Sequence, residues 1–224
     1  MFFLRENLSD PEQQWTDLAS SVTNNPYGRK ITLKTDIGTG HFKTVEFDDG
    51  LKIVLTDYTN NRLFSKVYDN SKDDSYCLHI NQVKAADEFS VFISGKELLF
   101  SNKLYSSVFL VCSGEPFEIK TTPGSYFNQL KIVIPKDWLP GHLDDTYNAG
   151  ILQQYLDLKA ERLYFDTIDT VYLKLVNRLV IEVEQIKYLP LVHGMVTIII
   201  QRFFFRMLAR LGEGTNDGGM IGEW

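Results

Sequence analysis

Across residues 29–139 apolar side chains recur at every second position, in short runs separated by Gly, Pro, Asn and Asp. A strand points successive side chains to opposite faces, so this alternation marks strands with one apolar face. Ile31 and Leu33 alternate with Thr32 and Lys34; Leu51, Ile53 and Leu55 share a face; Leu130, Ile132 and Ile134 oppose Lys131 and Val133. Further runs lie at 63–68, 76–82, 89–94, 98–101, 108–112, 117–121 and 128–135. Asp48-Asp49-Gly50, between two such runs, is a hairpin signal. About ten short strands without helical patterns between them exclude a doubly wound parallel sheet. They point to an antiparallel sandwich or barrel of jelly-roll type, in which doubling or closing the sheet removes exposed edges.

The flanks read as helical. Asp10 is placed to cap a helix over 11–23 with Pro11 in its first turn, and Trp15, Leu18, Ala19 and Val22 recur at helical spacing. Asn24-Asn25-Pro26-Tyr27-Gly28 ends it with turn residues. After Asp144-Asp145, helical spacing returns at Ile151, Leu152, Tyr155, Leu156 and Leu158. A second helix, capped by Asp166 or Thr167, carries Ile168, Tyr172, Leu175, Leu179, Val183 and Ile186. A third runs from Pro190 through Arg210, apolar nearly all round (Ile198, Ile199, Ile200, Phe203, Phe204, Phe205, Met207) except for Arg202, Arg206 and Arg210. Such a helix must be covered on several sides. Either it pairs with a second copy or it packs within one subunit; Ile168, Tyr172, Leu175, Leu179, Ile199 and Phe203 are the interface candidates under the first reading. The Arg stripe is then a solvated face, with phosphate contact as the sharper alternative. Residues 212–224 are Gly-rich and aperiodic, and read as a mobile tail. The expected organisation is a helical segment 1–28, a β domain 29–143, a helical segment 144–211 and the tail.

Composition bounds the function. An apolar content of 44% with 23% charged residues suits a soluble globular chain. The net charge of −6 repels a polyanion, which argues against this chain binding nucleic acid by itself. Cys77 and Cys112 are too few for a disulfide framework and lack metal-ligand spacing; buried thiols in a reducing cytoplasm are the plain reading. The opening residues form no signal peptide, and the longest uncharged apolar run, 188–201, is short of the ~20 residues a span needs. A soluble, cytoplasmic protein is expected. Aromatic residues reach 13%, which either fills a barrel or lines a pocket.

No catalytic motif emerges. His41, His79, His142 and His193 fall in no paired ligand pattern, so no metal and no cofactor is expected. Gly38-Thr39-Gly40-His41-Phe42 is too short for a dinucleotide fingerprint and reads as a turn, as does Ser113-Gly114-Glu115. No nucleophile elbow or phosphate loop is present. Nothing gathers Asp57, Glu97, Asp144 and Asp145 into one site, and each reads as surface charge. The chain is therefore not expected to be an enzyme. Tyr76, His79, Phe89, Phe92, Tyr105 and Phe109 are candidates for lining a ligand pocket, although residues of these types more often fill a core. Cys77 and His79 share a face opposite Tyr76, Leu78 and Ile80, so His79 points inward if the latter face an outer layer.

A series of segments carries a resemblance. A helix with Trp15 leads to Gly38-Thr39-Gly40, then to Phe47-Asp48-Asp49-Gly50-Leu51-Lys52-Ile53-Val54-Leu55-Thr56-Asp57-Tyr58. Next come Leu78-His79-Ile80-Asn81-Gln82, Tyr105-Ser106-Ser107-Val108-Phe109-Leu110, Pro116-Phe117-Glu118-Ile119 and Pro135-Lys136-Asp137-Trp138-Leu139. In this order, over about residues 10–210, they resemble the N-terminal sensor domain of AraC-type transcription regulators. The resemblance implies a cupin-like antiparallel jelly-roll barrel followed by a helical dimerisation segment, hence a mainly β chain with C-terminal helices (α+β). It also implies a small-molecule effector, a homodimer, and DNA binding only through a C-terminal domain of two helix-turn-helix units. The 13 residues after Leu211 are too few for that domain. A metal-dependent cupin-fold enzyme and a stand-alone interaction module are the alternatives; stoichiometric bound metal would favour the first.

Overall fold

Asp48-Asp49-Gly50 forms the hairpin its sequence signals. The Phe47 amide donates to Leu51 O at 2.9 Å, the Gly50 amide donates to Phe47 O at 3.0 Å, and Gly50 takes φ +84°, a conformation natural to glycine. The computed structural model describes residues 2–7, 13–69, 75–84, 89–93, 96–100, 104–112, 117–142, 152 and 166–214. The strands are β1 (Phe2–Asn7), β2 (Ser21–Asn25), β3 (Gly28–Thr35), β4 (Gly38–Glu46), β5 (Lys52–Asn60), β6 (Phe64–Asp69), β7 (Ser75–Lys84), β8 (Phe89–Ile93), β9 (Lys96–Phe100), β10 (Leu104–Cys112), β11 (Phe117–Thr121), β12 (Tyr126–Pro135) and β13 (Asp166–Thr167). The helices are α1 (Gln13–Asp17), α2 (Trp138–His142), α3 (Thr170–Glu184) and α4 (Leu189–Gly214).

Eight strands form an antiparallel sheet in the order β13-β10-β7-β12-β5-β4-β3-β2. A smaller sheet has the order β1-β6-β11-β8-β9, with β1 and β6 parallel. In the large sheet β12 returns between β5 and β7, and such long-range antiparallel pairing suits a jelly roll.

One face of the large sheet is the floor of the main core. Ile53, Leu55, Leu78, Ile80, Val108, Leu110, Leu130, Ile132 and Ile134 pack there against both long helices. α3 contributes Tyr172, Val176, Leu179 and Val183, spaced four, three and four apart along one side of the helix. α4 contributes Val192, Val196, Ile199, Ile200, Phe203, Phe204 and Met207. Each such side chain stabilises the fold by about 1.5–3 kcal/mol when fully buried.

Several expectations change. The helix over 11–23 shrinks to α1, because residues 21–25 pair with β3 and leave Val22 39% exposed; strand pairing outweighs local helical spacing. Asp10 and Pro11 lie outside the described residues. β1 was not foreseen. Gly38 and Gly40 open β4 and do not form the turn, which falls at Asp36-Ile37. A Cβ on Gly40 would sit 2.1 Å from Asp57 O, and one on Gly38 2.2 Å from the Tyr58 hydroxyl, so these positions admit the neighbouring strand only as glycine.

The helix expected around 151–158 lies outside the described residues apart from Leu152, which is helical. The cap of α3 is Asp169, whose Oδ1 accepts from the Tyr172 amide at 2.6 Å; Asp166 and Thr167 instead pair with β10. Arg202 and Arg206 are not a solvated stripe, since both reach Asp169 Oδ2, at 3.4 and 3.0 Å. That arrangement locks α4 to the start of α3. α4 runs on to Gly214, past the expected end.

The proposed interface residues are corrected too. Tyr172, Leu179, Ile199 and Phe203 are buried within the subunit, and Ile168 and Leu175 pack against the same core. The apolar circumference of α4 is met largely by the sheet and α3. What remains exposed is a different set: Leu191 (46%), Ile198 (50%) and Phe205 (71%).

Candidate functional site

The opposite face of the large sheet is also buried, and a polar zone lies at its centre. Strand register sets two adjacent rows across it. Ser107, Asn81, Gln129 and Thr56 lie side by side on β10, β7, β12 and β5. Two residues along, Phe109, His79, Lys131 and Val54 occupy the same four strands. All eight are buried. Apolar positions bracket the polar zone: Val111 and Cys77 on one side, Val83, Phe127 and Tyr58 on the other.

Hydrogen bonding within the zone is partial. Gln129 Nε2 donates to Asn81 Oδ1 at 3.0 Å. The hydroxyls of Ser107 and Thr56, at the two ends of that row, have no hydrogen-bond partner among the described residues. A buried hydroxyl left without a partner costs on the order of 1–3 kcal/mol, which a bound molecule can recover. The His79 ring lies parallel to Phe109, with centroids 5.0 Å apart. Lys131 is completely buried, and desolvation holds its amine well below the usual lysine range. Its Nζ lies 6.0 Å from the centre of the Phe42 ring. Trp15 on α1 stacks on that ring at 5.4 Å and meets Tyr58 edge-on at 5.6 Å, so an aromatic cap closes one end of the polar zone. Burial pushes the Tyr58 phenol up to about 12, and its hydroxyl donates to Ile37 O at 2.9 Å.

Of the six pocket candidates, His79 and Phe109 come together in this zone. Tyr76 points to the other face, against the helix-covered core, with Lys136 Nζ 5.9 Å above its ring. Phe92 belongs to the small sheet, half-buried beneath Lys120 Nζ at 3.9 Å. Phe89 pairs with Phe100, and Tyr105 with Val83; their side chains lie outside the described residues. The sequence reading missed Lys131, Asn81, Gln129, Thr56 and Ser107. Lys131 was placed on the face opposite Leu130 and Ile132, but a one-sided sheet would have left that face in water.

Two further clusters fasten the helices to the sheet. Glu184, at the end of α3, meets His41 Nε2 at 2.7 Å and Lys30 Nζ at 3.0 Å. The His41 hydrogen bond is the largest influence holding its carboxyl down at about 2. Lys43 Nζ, buried nearby, donates to the carbonyls of Val183 and Glu184, and desolvation lowers its affinity for a proton. In the second cluster Asp49 accepts from Trp138 Nε1 at 2.7 Å and pairs with His193 Nε2 at 2.8 Å; desolvation works against the net lowering of its pKa that these bonds produce. His142 stacks on Trp138 at 3.8 Å. Asp57 accepts from the Tyr126 hydroxyl at 2.7 Å, Glu97 is exposed, and Asp144 and Asp145 lie outside the described residues. Among the described residues no three or more His, Cys, Asp or Glu side chains gather to hold a metal ion, and no helix is long and apolar enough to cross a membrane.

No protein-family model matches the sequence. No curated protein matches it either. Solved structures similar to the chain include cupin-fold proteins. One is a cupin protein from Bacteroides fragilis, 13% identical, with 54% of this chain and 93% of that one covered and a TM-score of 0.30. Another is a predicted oxalate decarboxylase from Thermotoga maritima, 13% identical, covering 51% and 98%, with a TM-score of 0.29. A third is an HTH_3 family transcriptional regulator from Vibrio cholerae, 13% identical, covering 57% and 61%, with a TM-score of 0.30. Likeness at this level says nothing of activity, and the chain's architecture rests on its own strand order and register.

Proposed function

We propose that this chain is a ligand-sensing regulatory module: a cupin-like, jelly-roll β domain that takes a small molecule on the polar zone of its large sheet. The helices α3 and α4, seated on the other face of the same strands, are its output. The observation that carries this reading is the set of buried polar side chains on β5, β7, β10 and β12, with the Thr56 and Ser107 hydroxyls left without hydrogen-bond partners among the described residues. A fold that needed only stability would fill such a face with apolar side chains.

The finer assignment follows the sequence resemblance: the sensor half of an AraC-type regulator, cytoplasmic, acting as a homodimer, with DNA read by a separate C-terminal domain. Effector binding would favour one arrangement of the helices over another and so reposition that domain. No chemical step is assigned to the chain. Pairing of two copies falls to the side chains left exposed on α4, since Ile199 and Phe203 are committed to the subunit core.

The test is a screen of small molecules by shift in Tm, repeated on Thr56→Val and Ser107→Ala. A compound that stabilises the wild type, and stabilises at least one variant markedly less, supports the reading. A screen in which every stabilising compound acts equally on all three proteins, or none stabilises, overturns it. Stoichiometric iron, manganese or zinc in the purified protein would instead favour the enzyme alternative.

A further inference from the structure

We propose that Gly194 is the notch in which a second copy of this chain seats its own α4. This deepens the pairing of copies proposed above and rests on it. Among the described residues, those exposed along α4 are Pro190, Leu191, Ile198, Gln201, Phe205 and Ala209. Leu191, Ile198 and Phe205 are seven apart. Seven residues fall about 20° short of two full turns, so the three form a nearly straight stripe. At 1.5 Å per residue it is about 21 Å long. Gly194 and Gln201, each three residues further on from Leu191 and Ile198, complete the stripe. Steps of three and four in alternation are those of a seam between two paired helices.

The subunit itself does not account for this glycine. Inside a helix glycine is less favourable than alanine, because more backbone freedom is lost on folding. Gly38 and Gly40 are required within the subunit, since a Cβ on either would strike β5. A Cβ on Gly194 would meet no atom within 4 Å beyond its own stretch of helix. The missing side chain instead opens the outer face between Leu191 and Ile198. Contact side chains hold packed helix axes about 8–10 Å apart, and a glycine at the contact admits the closer approach. Charge selects the occupant. None of the exposed residues on α4, among those described, is charged, and Arg202 and Arg206 beside the stripe are drawn to Asp169. A second copy presents the same uncharged stripe, so two-fold pairing sets no like charges together and buries no charge without a partner. A helix that lies on an anionic membrane carries cations around its apolar face, and this stripe has none to offer.

The experiment places Gly194→Ala and Gly194→Leu in two backgrounds: the wild type, and Phe205→Asp, in which the copies are kept apart. Sedimentation equilibrium gives the dimer Kd, and thermal denaturation of the Phe205→Asp series gives the Tm of the lone subunit. Opposite signs are expected. In the separated subunit Gly194→Ala raises Tm, because a better helix former enters open space. In the wild-type background Gly194→Leu overfills the contact and raises the dimer Kd about tenfold or more, with Gly194→Ala in between. The Tm of Gly194→Leu in the Phe205→Asp background shows that its subunit is folded, and Gly194→Ala carries the test should it not be. A dimer Kd unchanged by both substitutions would overturn the proposal and leave the pairing along α4 standing. A Tm lowered by Gly194→Ala in the separated subunit would also overturn it, since the glycine would then serve the subunit itself. A wild type that stays monomeric, or a dimer that survives Phe205→Asp, removes both the notch and the pairing along α4.

Discussion

Lys131 occupies the centre of the large sheet at a cost. A buried amine loses hydration, and that desolvation lowers the proton affinity of Lys131 below the usual lysine range. Because the folded state binds this proton more weakly than the unfolded state, stability from this group rises with pH up to the unfolded lysine value. Lys131→Met is therefore expected to raise stability by about 1–3 kcal/mol near pH 7 and to flatten the dependence of stability on pH. Urea denaturation across pH 6 to 9 measures both effects, and a variant less stable than wild type throughout would contradict the argument. The same residue shows where a sequence falls short. Alternation assigns Lys131 correctly to the face opposite Leu130 and Ile132, but the period of a strand says nothing about whether that second face is wet.

Among the elements, α3 is fixed at both ends by charge. Asp169 caps its start and draws in Arg202 and Arg206, while Glu184 at its end is held by His41 and Lys30. The Glu184 carboxyl is lowered from 4.5 to about 2, so its stabilising effect is present above pH 4.5 and is lost as pH falls toward 2. Glu184→Gln should cost about 2 kcal/mol at pH 7 and remove the part of the acid transition lying between those values, as measured by circular dichroism in an acid titration. Equal acid sensitivity in variant and wild type would show that the pairs at this end of α3 contribute nothing. The strands and the two long helices were legible in the sequence because their periods are long and regular. The cap of α3 was not, because Asp166, Thr167 and Asp169 are all acceptable caps and pairing with β10 removes the first two. Residues 21–25 likewise became a strand because an edge strand was waiting for them.

For the molecule as a whole, one sheet carries two different interiors: an apolar one under the helices and, behind it, one with a polar centre. This arrangement separates the tests of assembly from the tests of folding. Phe203→Asp places a charge in the subunit's own core and is expected to prevent folding. Phe205→Asp alters a side chain that is 71% exposed and should leave the monomer's stability unchanged within about 0.5 kcal/mol. Under the homodimer proposal the wild type sediments as a dimer and Phe205→Asp as a monomer, whereas a monomeric wild type would remove pairing from the proposed function. Which apolar helix residues face the sheet and which face outward could not be told from α4 alone. Its sequence is apolar on nearly every side, and only the position of α3 and the strands divides it.

The corner between α3 and α4 carries its pairs in crossed order. At Glu184 the acid belongs to the helix and the imidazole, His41, to the sheet; at Asp49 the acid belongs to the sheet's hairpin and the imidazole, His193, to the helix. Had both acids been on the helices, an exchange of seats would have preserved every pairing. As built, a misplaced corner would set Glu184 against Asp49 and His193 against His41, acid on acid and base on base. The two clamps therefore act as a key, admitting the helical pair onto the sheet in one orientation.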